Sequence, residues 1–149
     1  MSIRGLLLDS DVLAEIRKAT PHPQVVAFLR RRSYMVMYIS ALSLGELKGL
    51  YPYPETERWV NELLERFSGQ VLDVDTNVSL AWAGRQIRAE ERPSPEGPYT
   101  PLPTAALEGL MAATAEVHQL EIVSSKADIY RRWGVPAVNP LHENTARGL

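Results

Sequence analysis

Cysteine is absent from the 149 residues of this chain. Its absence excludes disulfide bonds, thiolate metal sites and cysteine nucleophiles. Long apolar runs are absent too, since none approaches the roughly 20 residues that are needed to cross a bilayer. The apolar run between Arg4 and Asp9 is too short to be the core of a signal peptide. We therefore expect a cytoplasmic protein.

A strong charge of one sign is also lacking. The formal net charge is −2 at pH 7, so no overall basic field predicts a nucleic-acid partner. Arginines nevertheless cluster at residues 30–32 and 131–132, where they would suit bidentate contacts to phosphate. A compositional bias of the genome explains these arginines equally well, and both interpretations stay open.

What the sequence does contain is a regular alternation of short apolar runs and helical patterns. The predicted strands are residues 4–9, 35–39, 71–74, 120–123 and 135–138. The predicted helices are residues 11–18, 24–32, 42–50, 55–68, a segment from 75 onward, 104–119 and 128–133. This alternation predicts an α/β fold with a mainly parallel sheet covered on both faces. Pro136 places the last strand at an edge.

The length fits one domain. The only loose segment is the proline-rich stretch 91–103, which is predicted to be a loop within that domain.

Acidic residues recur where these strands end. Asp9, Glu46 and Asp128 follow the first, second and fourth strands, and Glu108 lies near the start of a helix. Because parallel strands end at the same edge of a sheet, such acids can converge without being close in sequence. Carboxylates without Cys or a well-placed His suit Mg²⁺ or Mn²⁺. A site of this kind supports hydrolysis of phosphodiester bonds.

Each acid also has a purely structural interpretation. Asp9 or Ser10 would cap the following helix, and Asp128 would cap the last short one. Ser43 and Glu46 have the spacing of a capping box, and Glu108 would gain from the helix dipole. These interpretations stay open for each residue singly, but they do not explain why the acids share one edge of the sheet.

Four segments resemble VapC-type toxin ribonucleases, which are PIN-domain proteins. Residues 7–15 resemble the family's opening LLDTNVLSE, and residues 38–47 are similar to YLSAITLGEL. Residues 110–120 match the LIAATALxHGL helix, and residues 135–140 resemble the ending GVxVxNP. The resemblance covers nearly the whole chain and implies a PIN-like three-layer α/β/α sandwich over residues 1–149.

The resemblance also implies roles for particular side chains. Asp9, Glu46 and Glu108 would hold the metal ion, although Glu108 stands where the family normally has Asp. Lys126 falls where the family has a fourth acid or an amide, and it could occupy the space of a second cation. Asp128, two residues further on, is an additional catalytic candidate. Ser10 and Ser124 would orient water or phosphate beside the ion, and Asp11 would stabilise the helix start.

The function that the resemblance implies is cleavage of RNA by a toxin. A cognate antitoxin would restrain it by covering the acidic groove, and a homodimer is expected. The helices at 24–32 and 55–68 would provide contacts for either partner, or their apolar residues would belong to the core. The alternative function is a degenerate PIN domain that binds RNA or a protein without cleavage, which Glu108 and Lys126 favour.

Overall fold

The structure is a computed structural model that describes residues 2–90 and 106–143. Within these residues, five short strands form one parallel sheet. They are β1 (Gly5–Leu8), β2 (Met37–Ser40), β3 (Val71–Leu72), β4 (Leu120–Val123) and β5 (Ala137–Val138). The order across the sheet is β3-β2-β1-β4-β5, with β1 in the centre. Every pairing is parallel, so all five carboxyl ends lie along one edge.

Seven helices connect these strands within the same residues. They are α1 (Ser10–Arg17), α2 (Pro23–Arg31), α3 (Ala41–Leu50), α4 (Pro54–Arg66), α5 (Thr76–Glu90), α6 (Ala106–His118) and α7 (Ala127–Arg132). After α4 the chain turns through Gly69, whose φ of +79° is a conformation that glycine adopts without strain.

The central strand separates two buried clusters because successive side chains of a strand point to opposite faces. Leu6 and Leu8 pack in a cluster with residues of α1 to α4, including Trp59. Leu7 packs on the other face with α6 and α7, where Met111 is a neighbour. Each fully buried leucine contributes about 1.5–3 kcal/mol. The result is three layers, α/β/α.

The predicted α/β fold and its parallel sheet are confirmed, and so is the edge position of the last strand. The third strand is shorter than predicted, because Asp73 is already exposed and the chain leaves the sheet there. Asp75 then lies at the start of α5, where its Oδ1 accepts from the amide of Val78 at 2.9 Å. The proline-rich segment 91–103 and the first two residues of the predicted helix 104–119 lie outside the described residues. No helix in the described ranges is long and apolar enough to cross a membrane.

Two arginines of the 30–32 cluster are engaged within the fold. Arg31 and Arg32 both pair with Glu143, and the Arg31 Nη2 to Glu143 Oε2 distance is 2.6 Å. Arg32 also stacks over the ring of Phe28, 4.8 Å from its centroid. These two side chains therefore have structural partners and need no phosphate to account for them.

Candidate active site

Asp9 lies at the carboxyl end of the central strand and is only 1% exposed. Its amide donates to the carbonyl of Val123 at 3.0 Å, which extends the pairing of β1 with β4 by one residue. Asp9 is also the N-cap of α1, since its Oδ1 accepts from the amide of Ser10 at 2.9 Å. The predicted capping role is confirmed, but it accounts for only one of the two carboxylate oxygens.

The other oxygen of Asp9 accepts two hydroxyl groups from the second half of the chain. Ser124, directly after β4, donates from Oγ to Oδ2 at 2.8 Å. Tyr130, in α7, donates its hydroxyl to the same oxygen at 2.9 Å. Both partners are buried. The Asp9 carboxylate is therefore fixed in orientation by donors from three elements of structure.

Tyr130 is a site residue that the sequence pattern does not reveal. Its spacing predicts a core position, and the side chain is indeed buried, but no local motif indicates where the hydroxyl points. Burial raises the pKa of Tyr130 above its ordinary value, and the nearby charge of Asp9 raises it further. Glu108 and Glu46 add smaller effects in the same direction. The hydroxyl therefore stays protonated, and all three acids act on it.

Glu46 joins the group through Ser10. The hydroxyl of Ser10 donates to Glu46 Oε1, which connects the first turn of α1 to α3. The predicted capping box of Ser43 and Glu46 is wrong, because the N-cap of α3 lies three residues before Ser43. Ser40 is its N-cap and accepts from the amide of Leu42 at 3.1 Å. The position of Glu46 is therefore not explained by helix capping.

Glu108 and Lys126 form an ion pair beside these residues. Glu108 lies in the first turn of α6, as the dipole interpretation expects, and its Oε1 is 3.7 Å from Lys126 Nζ. Lys126 is the N-cap residue of α7, and its amide donates to Ser124 Oγ at 2.9 Å. The backbone that carries Lys126 is thus tied to the same hydroxyl that binds Asp9.

The electrostatic balance of the site is negative. Burial raises the pKa of Asp9, and repulsion from Asp11 raises it further. The hydrogen bond from Ser124, the charge of Lys126 and the Ser10 amide lower this pKa without cancelling the increase. Among the described residues, Lys126 is the basic side chain that pairs with any of the three acids. One ammonium does not neutralise three carboxylates.

Two further acids from the sequence have other partners, although the charge of Asp11 still raises the pKa of Asp9. Asp11 accepts from the amide of Val12 at 2.9 Å and from the amide of Ser125 at 2.8 Å, so it stabilises the helix start as predicted. Asp128 has a side chain that is 87% exposed and pairs with Arg131 at 2.8 Å. The structure does not bring Asp128 to the other acids. It does not cap α7 either, since Lys126 holds that position.

A ready-made metal site is not present in the described ranges, where no group of three or more His, Asp or Glu residues is arranged to hold an ion. Each acid has instead a protein partner: hydroxyls for Asp9, Ser10 for Glu46 and Lys126 for Glu108. The donors themselves are hard carboxylate oxygens, the type that Mg²⁺ and Mn²⁺ bind.

No protein-family model matches the chain. It is 28% identical over 146 residues to Toxin FitB of Neisseria gonorrhoeae, an alignment that covers 93% of this chain and 99% of the relative. It is 26% identical over 143 residues to the VapC ribonuclease Y4jK of Sinorhizobium fredii, with coverages of 91% and 96%.

Solved structures with the same fold agree with these relatives. The crystal structure of FitAcB from Neisseria gonorrhoeae superposes with a TM-score of 0.68 at 25% identity, covering 93% of this chain and 99% of that one. A toxin-antitoxin complex from Klebsiella pneumoniae superposes with a TM-score of 0.63 at 14% identity, covering 91% and 98%. At that identity the second likeness concerns the fold alone.

Proposed function

We propose that this VapC-type PIN-domain protein is a toxin, and that it hydrolyses phosphodiester bonds of RNA with Mg²⁺ or Mn²⁺. Residues 1–149 form one PIN domain in this proposal. The observation that supports it is that the charges of Asp9, Glu46 and Glu108 all act on the Tyr130 hydroxyl, which binds Asp9 at the end of the central strand. The curated relatives, named as a toxin and a VapC ribonuclease, support it.

The donor set fits a divalent cation in its chemistry and in its charge. Three carboxylates face one ammonium, and burial without full compensation raises the pKa of Asp9. Asp9, Glu46 and Glu108 would hold the ion. When bound, such an ion lowers the pKa of a water molecule and neutralises charge on the attacked phosphate. Asp128 is left out of this set because it is exposed and paired with Arg131.

The remaining residues of the site orient the acids. Ser124 and Tyr130 fix the orientation of the Asp9 carboxylate by donating to one of its oxygens, and the bond from Ser124 also lowers the pKa of Asp9. Ser10 holds Glu46 next to the start of α1. Donors of this kind around a metal ligand affect affinity or activity by about 10–100-fold when removed.

A cognate antitoxin and a second copy of the chain are the proposed protein partners. The relative named Toxin FitB is 28% identical over 93% of this chain, which supports a toxin and hence an antitoxin as its partner, and in this proposal the antitoxin covers the acidic edge of the sheet. The helices at 24–32 and 55–68 contribute Phe28, Trp59 and Leu63 to the core. Their apolar residues therefore have a structural role first, and the exposed side chain of Leu64 stays available to a partner.

A degenerate domain that binds RNA or a protein without cleavage is the second candidate. The ion pair between Glu108 and Lys126 favours it, because the ammonium already pairs with one of the three carboxylates that would bind the metal.

The test is cleavage of a structured RNA by the purified protein, free of antitoxin, across a series of Mn²⁺ concentrations. We expect cleavage by the natural sequence and a loss of at least about 100-fold in Asp9→Asn, since even residues around a metal ligand contribute up to that amount. Asp73→Asn is the matched control, because Asp73 is an exposed acid just after β3, near the same edge of the sheet. It should cleave like the natural sequence.

Undiminished cleavage in Asp9→Asn would exclude the proposed site. Binding of RNA without cleavage at any Mn²⁺ concentration would establish the degenerate alternative instead.

A further inference from the structure

Lys126 lies among the acids of the candidate site on a turn that is fixed to Asp9. Its amide donates to Ser124 Oγ at 2.9 Å, and that hydroxyl donates to Asp9 Oδ2 at 2.8 Å. The side chain then extends over Tyr130, with Nζ 5.9 Å from the centroid of the ring. The backbone of Lys126 is thus fixed beside Asp9, and its ammonium reaches Glu108.

The ion pair that Lys126 makes is loose. Its Nζ is 3.7 Å from Glu108 Oε1, longer than the roughly 2.7–3.2 Å of a direct hydrogen bond. An ammonium has three N–H donors, and 34% of this side chain is exposed to solvent. Lys126 can therefore keep Glu108 as a neighbour and still donate to an oxygen atom of a ligand.

We infer that Lys126 is the phosphate-binding cation of this site, with its ammonium on a non-bridging oxygen of the RNA backbone. The inference rests on the proposed function for the identity of the ligand as RNA. A phosphodiester that approaches Asp9, Glu46 and Glu108 meets negative charge, and among the described residues Lys126 is the basic side chain that pairs with this group. Lysine binds phosphate as a compact point charge.

The experiment measures binding of a single-stranded RNA oligonucleotide by fluorescence anisotropy, in EDTA and over a series of salt concentrations. Each phosphate neutralised on a single strand contributes about 0.7 to the slope of log K against log salt. Lys126→Ala should lower the slope by about 0.7 and weaken binding several-fold at low salt. Lys126→Arg, which keeps the charge, should retain the slope.

Lys48→Ala is the matched control. Lys48 lies in α3 and is also 3.7 Å from an acid, Glu57, but its partner is not part of the site. Its slope should equal that of the natural sequence. An unchanged slope in Lys126→Ala, or an equal fall in Lys48→Ala, would overturn the inference. Thermal unfolding shows whether each variant is folded, and Lys126→Gln replaces the alanine variant if that one is not.

The charge-reversing variant Lys126→Asp separates RNA binding from metal binding. RNA binding in EDTA should fall further than in Lys126→Ala, whereas titration calorimetry with Mn²⁺ alone should give a higher affinity, because a carboxylate replaces the ammonium. RNA binding as tight as in the natural sequence would contradict the inference.

Failure of the inference can be told from failure of the proposed function. If the natural sequence does not cleave RNA in Mn²⁺ but the salt slope of RNA binding is lower in Lys126→Ala, the proposed function fails and the inference stands. If it cleaves and the slope is unchanged, only the inference fails.

Discussion

The Asp9 carboxylate accepts hydrogen bonds from three donors that belong to different elements: the Ser10 amide, the Ser124 hydroxyl and the Tyr130 hydroxyl. A buried carboxylate needs such donors, because removal from water disfavours its charged form. The sequence predicts Asp9 and Ser124 from their positions at strand ends. It does not predict Tyr130, because an aromatic residue at core spacing indicates burial and not the direction of its hydroxyl.

Tyr130→Phe removes this hydroxyl and keeps the ring. We expect the free energy of unfolding to fall by about 1.5–3 kcal/mol, since hydrogen bonds to charged groups contribute that much. Cleavage in Mn²⁺ should fall by about 10–100-fold, since the orientation of Asp9 is loosened. Urea unfolding and the cleavage assay measure the two effects. Tyr38→Phe is the control, because its ring packs against the same cluster without the bond to Asp9. Equal effects in the two variants would show that the Asp9 bond contributes nothing.

At the scale of single elements, the start of α3 shows where local sequence rules mislead. Ser40 precedes this helix and Ser43 lies in its first turn. Ser43 has the correct spacing to Glu46 for a capping box. The helix begins earlier because β2 ends at Ser40, whose side chain caps it. The length of a strand, which the sheet determines, therefore decides between two locally plausible caps.

The two serines give a matched pair of substitutions. Ser40→Ala removes the N-cap bond to the Leu42 amide and should lower the free energy of unfolding by about 1 kcal/mol. Ser43→Ala removes a buried hydroxyl with no hydrogen-bond partner among the described residues. It should therefore be neutral or slightly stabilising. Urea unfolding of both variants gives the comparison. A larger loss of unfolding free energy in Ser43→Ala than in Ser40→Ala would favour the capping box instead.

Glu121 in β4 makes the stability of the sheet depend on pH. Burial raises the pKa of Glu121, and the charge of Glu143 adds to this, while Arg32 and Arg131 oppose it. A raised pKa in the folded state means that folding favours the protonated form. Its contribution is therefore complete below the unfolded pKa, near 4.5, and is lost as pH rises through the folded pKa.

Glu121→Gln removes the charge and should raise the Tm at pH 7, with the difference shrinking as the pH approaches 4. The measurement is thermal unfolding from pH 4 to pH 8. Glu62→Gln, at an exposed position of α4, serves as the reference and should follow the natural sequence throughout. A Tm difference for Glu121→Gln that is the same at every pH would rule out titration of this carboxyl as its cause.

At the scale of the whole molecule, the parallel sheet made the acidic edge predictable. The alternation of strand and helix patterns indicates the fold, and parallel topology brings residues 9 and 46 to one edge. The bonds that complete the site join positions 115 and 121 residues apart in sequence. No local pattern encodes such pairs, because they depend on how α7 packs against the sheet. The same holds for the pairing of Lys126 with Glu108.

The packing of the last three helices around Gly109 determines where Glu108 stands. A Cβ atom on Gly109 would lie 2.9 Å from atoms of both Trp82 in α5 and Trp133 after α7, closer than side chains tolerate. Gly109→Ala should therefore lower the free energy of unfolding by about 1–3 kcal/mol. It should also weaken Mn²⁺ binding, because α6 must shift and Glu108 shifts with it.

Gly45→Ala in α3 is the control for this substitution, since nothing lies within 4 Å of its added Cβ. It should stabilise the protein by about 0.5–1 kcal/mol, the gain expected when alanine replaces glycine within a helix. Urea unfolding and calorimetry with Mn²⁺ measure both variants. A gain in stability for Gly109→Ala equal to that for Gly45→Ala would mean that the tryptophans can move aside. Glu108 would then owe its position to the ion pair with Lys126 rather than to the packing of α6.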